Sequence, residues 1–220
     1  MTVPAMVDYD MFLPEVMPWA RACAEPVAIQ AIKNAAIEFC ERSSWWKYET
    51  DNIPLVIDQA DYVVPAPAGT DLACLLQAFY AGRQLFIRTS DDLANDSLVD
   101  WRSIQANQPS AVTQMSQDSV RINPVPNADV DPTMFLSLVV ALKPSRDSTQ
   151  VFQAVYEQFA ETVAQGALAR LYSQFATPYS NPQAMQVARA MFNSGVDDAR
   201  AEVNRAYGRV GITVQIPRFI

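Results

Sequence analysis

From Pro26 onward, apolar residues recur at Ile29, Ile32, Ala36 and Cys40, with Ala35 and Phe39 beside them. Steps of three and four put such positions on one face of a helix, and the pattern predicts a helix over about 26–43. Pro26 fits the first turn, where its missing N–H has no bond to make. A second stripe runs Phe152, Val155, Tyr156, Phe159, Val163, Ala167, Leu171. It predicts a helix of about six turns, opened by Ser148 as its cap. The segment TPYSNPQ breaks that helix. Ser180 or Asn181 then caps a third one, with Pro182 in its first turn and a stripe of Met185, Ala188, Phe192, Val196, Ala199 and Val203. Gly208 and Gly211 are expected to end it.

Between the first and second helices the period changes. Short apolar runs at Leu55–Ile57, Tyr62–Val64, Leu72–Tyr80, Leu85–Ile87, Val120–Ile122 and Met134–Leu142 are separated by Pro, Gly and Asn. These are strand signals, and Ala81-Gly82-Arg83 reads as a hairpin turn. Ser90 to Asp92 caps a short helix through Leu93. Residues 1–25 carry Pro4, Pro14 and Pro18 and read as an arm anchored by Met11, Phe12, Leu13, Val16 and Trp19. The expectation is an α+β chain, with a helical core formed by the N- and C-terminal helices and an inserted β-rich block. Its parts are the arm and first core helix (1–44), the β-rich insertion (45–142), the C-terminal core helices (143–211) and an extended tail (212–220).

The run ERSSWW at 41–46 sits where the first helix gives way to the β-rich block. Adjacent side chains share neither one face of a strand nor one narrow stripe of a helix. Trp45 and Trp46 must therefore cover two surfaces. The expectation is that one indole plugs the helix–sheet junction and the other contacts a neighbouring subunit.

Composition narrows the function. The chain has 220 residues, is 50% apolar and 18% charged, and carries a net charge of −8. Phosphate-gripping proteins rely on clustered Lys and Arg, and here Lys33, Lys47 and Lys143 are the only lysines. Three widely spaced cysteines, Cys23, Cys40 and Cys74, suggest reduced thiols. No apolar run approaches the ~20 residues of a membrane span. The start, MTVPAMVDYD, carries no secretory signal.

There is no histidine, so the commonest general base and transition-metal ligand is missing. No glycine-rich phosphate loop is present; GRVG at 208–211 matches no fingerprint. Glu38 and Glu41 could share a helix face, and the plainer reading is a solvated surface. Asp91-Asp92 and Asp197-Asp198 lack the converging oxygens of a hard-cation site. Asp129 and Asp131 near Asn127 resemble a calcium-loop fragment without its glycine or closing Glu. Lys143 beside Ser145 and Ser148 reads as a loop and cap rather than a Ser–Lys pair. No catalytic, cofactor-binding or metal residue is assigned. Residues 189–220 hold five arginines (Arg189, Arg200, Arg205, Arg209, Arg218) against three acids, a local +2 suited to helix-surface pairing or an acidic partner.

The ordered segments resemble the head-to-tail adaptor (connector) proteins of tailed bacteriophages. The resemblance is carried by FLPEVMPWARACAEPVAIQAIKNAAIEFCERSSWW (12–46), YVVPAPAGTDLACLLQAFYAGRQL (62–85), VDWRS (99–103), VRINPVPNAD (120–129), VALKPSRDSTQVFQAVYEQFAETVAQGALARLYS (140–173), YSNPQ (179–183) and PRF (217–219). It implies a ring, twelve-fold, under the capsid portal, joining portal to tail and extending the DNA channel. The implied partners are the portal protein, a downstream tail or stopper protein and passing double-stranded DNA that is not read by sequence. The implied place is the virion neck, after assembly in the host cytoplasm and without a membrane. In ITVQIPRFI, Ile212, Val214 and Ile216 alternate with Thr213 and Gln215. With Arg209, Arg218 and Phe219, this tail is the expected portal-binding segment, added as a strand to a portal sheet. The alternatives are a carboxylate-based virion hydrolase and another neck component such as a stopper.

Overall fold

The computed structural model describes residues 5–96, 100–129, 131 and 133–204. The first described elements are a short strand β1 (Met6–Asp8), a 3-10 turn (Tyr9–Phe12) and one helical turn α1 (Leu13–Val16). Helix α2 (Glu25–Ser43) follows, with Pro26 in its first turn as expected. Its inner face is made of Ala28, Ala31, Ile32, Ala35, Ala36, Phe39 and Cys40, all buried. So many alanines keep that face low and allow neighbouring helices to come close.

The remaining strands fall between α2 and the late helices. They are β2 (Lys47–Glu49), β3 (Ile53–Pro54), β4 (Asp61–Val63), β5 (Thr70–Tyr80), β6 (Arg83–Gln84) and β7 (Phe86–Ile87). A short helix α3 (Ser90–Asp96) leads to β8 (Gln105–Ala106), β9 (Ala111–Gln114), β10 (Ser119–Asn123), β11 (Val125–Pro126), β12 (Phe135–Pro144) and β13 (Gln150–Phe152). The larger sheet runs β2-β12-β5-β6, with β3 also on β12; a second runs β4-β10-β9-β7. The long pair β5–β12 is antiparallel and shifts register twice, between Val139 and Val140 and between Ala141 and Leu142. Ala81 and Gly82, with φ of 52° and 75°, form the two-residue loop joining β5 to β6. Positive φ at both positions matches the right-handed twist of a hairpin. Helix α3 is capped one residue earlier than expected: Thr89 Oγ1 accepts from Asp92 N–H, and Asp92 accepts from Thr89 N–H.

Two long helices complete the chain, α4 (Gln153–Tyr172) and α5 (Pro182–Asn204). Ser148 does not cap α4. Residues 150–152 pair instead with β1, Met6 opposite Phe152 and Asp8 opposite Gln150, so the helix starts at Gln153. Asn181 caps α5: its side-chain oxygen accepts from Ala184 N–H at 3.1 Å. Gly208 and Gly211 lie outside the described residues. Helices α2, α4 and α5 pack on one another, and α2 also lies against β12, so helices and larger sheet share one core. Close approach is built in. A Cβ on Gly166 would sit 2.7 Å from the Phe192 ring and 3.0 Å from Ala35, and one on Gly195 would sit 2.4 Å from Thr162 Oγ1. A smaller cluster of Leu93, Trp101 and Ala111 lies under the second sheet. Within the described residues, no helix is long and apolar enough to cross a membrane.

Candidate functional site

The Trp45–Trp46 junction is the first place to look, and it corrects the expectation. Both indoles are buried in the chain, at 5% and 1% exposure, so neither is held out for a neighbouring subunit. The backbone explains how. Ser44 takes a left-handed conformation (φ 53°) that ends α2, and the Ser43 hydroxyl accepts from Trp45 N–H. Trp46 C=O then accepts from Leu142 N–H, fixing the second tryptophan against β12. Trp45 turns its edge onto Phe159 (5.1 Å, 75°), at a kink in α4, and Phe39 meets the same ring at 4.8 Å. Trp46 stacks on Phe152 at 5.2 Å with the planes 15° apart. The two surfaces are both internal: α4 on one side, the β13–α4 corner on the other.

The outward indole is a different one. Trp19, expected to anchor the arm with Phe12 and Val16, is 69% exposed, whereas those two are fully buried. With Met191 it lines a shallow cleft bordered by Glu15, Glu161, Thr162 and Gln165. The distinguishing signal in the sequence is weak: α1 ends at Val16, and Trp19 falls in the turn beyond it, where its N–H bonds Val16 C=O.

Glu38 is not on a solvated face. Its carboxylate accepts from Arg42 on its own helix, from Arg170 on α4 and from both Nη atoms of Arg189 on α5, at 2.6–3.2 Å. Burial alone would raise its pKa. The Arg189 guanidinium, by hydrogen bond and by charge, with Arg170 and Arg42 adding to it, outweighs burial and holds the carboxyl below its usual value. Arg42 also donates to Asn193 Oδ1 at 2.8 Å, and Arg170 to Asn34 C=O at 3.3 Å. Three helices are thus tied through one carboxylate. Reading α2 alone could not show this, because two of the partners are more than a hundred residues away.

Other candidate groups are absorbed by local structure. Glu41 pairs with Lys143 at 3.2 Å, so the two glutamates do not act together and Lys143 is not a serine's base. Asp92 serves the α3 cap, where bonds from the Thr89 hydroxyl and N–H keep its pKa low. Asp131 likewise accepts from Thr133. Among the described residues, no three His, Cys, Asp or Glu side chains converge as metal ligands. Ser148 bonds to Gln150 and lies 3.5 Å from the buried Tyr9 hydroxyl, whose pKa burial pushes up to about 12. The Cys40 thiol is pushed up to about 12 by burial as well. Arg209, Ile212, Val214, Ile216, Arg218 and Phe219 lie outside the described residues.

These features form no catalytic constellation. They describe a rigid helical body joined to a sheet, with an exposed indole and an arginine-rich cleft. Against known families, residues 8–213 match the model described as the SU10 adaptor protein. The chain belongs to the SU10 adaptor protein family. This is a phage head-to-tail adaptor family, so the match covers nearly the whole described fold with one structural role. No curated protein matches the chain. An SU10-type adaptor works as a structural component of the virion neck, and the use of Glu38 as a clamp between three helices agrees with that role.

Proposed function

We propose that the chain is the subunit of a twelve-copy ring that joins the capsid portal to the tail and continues the DNA channel through the phage neck. The observation that carries this reading is the family match over residues 8–213. The tight three-helix body supports it, since a ring under the pressure of a filled capsid needs rigid subunits. The exposed Trp19 beside Met191 supports it too, because a protruding aromatic with an adaptable methionine suits a contact between copies. Trp19 would take the place at a subunit contact that one of Trp45 and Trp46 was expected to hold. A net charge of −8 suits a conduit that lets double-stranded DNA pass without retaining it.

The C-terminal segment would make the portal contact. Ile212, Val214 and Ile216 alternate with Thr213 and Gln215 in the sequence and would share one face of a strand added to the portal, with Arg209, Arg218 and Phe219 flanking them. Main-chain pairing to a portal sheet would supply affinity and the alternate side chains would supply fit. A downstream tail or stopper protein would sit on the opposite rim. Assembly would take place in the host cytoplasm, and neither enzyme activity nor a cofactor enters this role.

The test is to mix the full chain and a 212–220 deletion with the cognate portal and image both. Twelve-fold rings on portals with the full chain, and free folded subunits with the deletion, are the expected result. Portal docking by the deleted chain would remove the tail from the interface. A monomer that never docks would overturn the ring reading itself.

A further inference from the structure

The Glu38 carboxylate is full. Oε1 accepts from Arg42 Nη1 and Arg189 Nη2, and Oε2 from Arg170 Nη2 and Arg189 Nη1. A carboxylate offers about four lone-pair positions, while three guanidiniums bring about fifteen N–H donors. The neutral partners Asn193 and Asn34 take only one further bond each. Arg170 Nε is buried with no hydrogen-bond partner among the described residues. One carboxylate against three cations also leaves a local charge of +2. Arg170 and Arg189 keep 37% and 42% of their side chains exposed, and with Ser173 and Met185 they line an open cleft beside Glu38. Surplus donors, surplus charge and open access together make a place for a second oxyanion.

The charge map says where that oxyanion comes from. Residues 45–142 hold twelve acidic side chains and five basic ones, so the β-rich stretch carries −7 of the chain's −8. The rest of the chain is nearly neutral, and the arginine cleft lies in it. We propose that the cleft between α4 and α5 receives a carboxylate from the β-rich stretch of a second copy of this chain. Two different surfaces then meet, cationic helices of one copy and acidic strands of the next. Such a heterologous contact is the kind that closes a ring, and complementary charge fixes its register and excludes the reverse pairing. The inference rests on the ring-subunit reading and deepens it. Duplex DNA, whose phosphates fit the same donors, is the competing occupant.

The experiment measures assembly of the full chain by sedimentation velocity and native mass spectrometry, at low and high salt. Arg170→Gln and Arg189→Gln should each raise the concentration of half-assembly roughly tenfold or more, as expected for loss of a charge-assisted bond, and should flatten its salt dependence. Glu38→Gln disturbs the same helix clamp but leaves the cleft's cations in place and less occupied. It should assemble at least as tightly as the wild type. If Glu38→Gln weakens assembly as much as Arg189→Gln does, the arginines only hold three helices together and the proposal fails. Wild-type rings matched by equally stable rings of both arginine variants overturn it while leaving the ring reading intact. A wild-type chain that forms no ring, alone or on portal, sinks both. Finally, fluorescence anisotropy with a labelled duplex should show no binding that depends on Arg170. Binding lost in Arg170→Gln, with assembly unchanged, would give the cleft to phosphate instead.

Discussion

Trp46 lies flat on Phe152, the rings 5.2 Å apart and 15° from parallel, and the next residue back, Trp45, reaches the same phenyl ring at 6.4 Å. One phenylalanine at the β13–α4 corner thus receives both members of a tryptophan pair. Each indole is removed from water, a loss of roughly 150–250 Å² of exposure per aromatic. Trp45→Ala and Trp46→Ala are both expected to cost about 3–5 kcal/mol. Urea unfolding of the two variants checks this. If either keeps wild-type stability, that indole is not in the core.

The Glu38 clamp should leave a signature in acid. Its folded pKa is held below the ordinary carboxylate value by Arg189, Arg170 and Arg42. The unfolded chain therefore takes up this proton first as the pH falls, from about pH 4.3 downward. The stability it contributes is whole above that value and is lost as the pH drops through the depressed folded pKa. Glu38→Gln should cost about 1–3 kcal/mol at neutral pH, for a partly exposed network. The variant should also show a shallower acid loss than the wild type in urea midpoints measured from pH 7 down to pH 3. Parallel curves would mean that Glu38 contributes nothing through its charge.

Helix spacing gives a prediction of opposite chemistry. Gly195→Ala places a methyl 2.4 Å from Thr162 Oγ1 and 2.6 Å from its Cγ2, on a facing helix. Overpacking of this kind costs about 1–3 kcal/mol, although alanine is the better helix former by ~1 kcal/mol. Thr162→Ala removes both clashing atoms. The double variant should therefore be more stable than Gly195→Ala alone, and a thermal-melt cycle measures the difference.

Thiol chemistry separates the cysteines. Cys40 is fully buried, and its thiol is pushed up to about 12. Cys74 is only half-buried and sits 3.4 Å from the Ser44 hydroxyl. Under native conditions a thiol reagent should modify Cys74 first and leave Cys40 untouched until the chain unfolds. Peptide mapping of the alkylated protein reads the order directly.

What could be read from the sequence was local. The Pro26 start and the stripe through Ile32, Ala36 and Cys40 mark α2, and Asn181-Pro182 marks the start of α5. Ala81-Gly82 marks the hairpin, because each of these signals lies within a few residues of what it specifies. The pairing of Met6–Asp8 with Gln150–Phe152 could not be read that way. Three residues carry no period, and nothing in MVD names its partner. Without that pairing, Ser148 looked like a helix cap. The Glu38 clamp was hidden for the same reason, since its meaning depends on α4 and α5 packing beside α2. Trp45 and Trp46 show a subtler case. Adjacency correctly required two surfaces, but one left-handed residue, Ser44, lets both surfaces be internal.

That early strand also sets a timetable. The residues of β1 leave the ribosome more than a hundred residues ahead of their partner, and they have nothing to pair with until Gln150–Phe152 has been made. At about 5–20 residues per second, the wait is roughly 7–30 s. The arm, the buried Tyr9 and the corner under both tryptophans all close only after that interval. A chain that stops short of Gln150–Phe152 therefore lacks a finished helical body, because the strand that closes its corner has no partner.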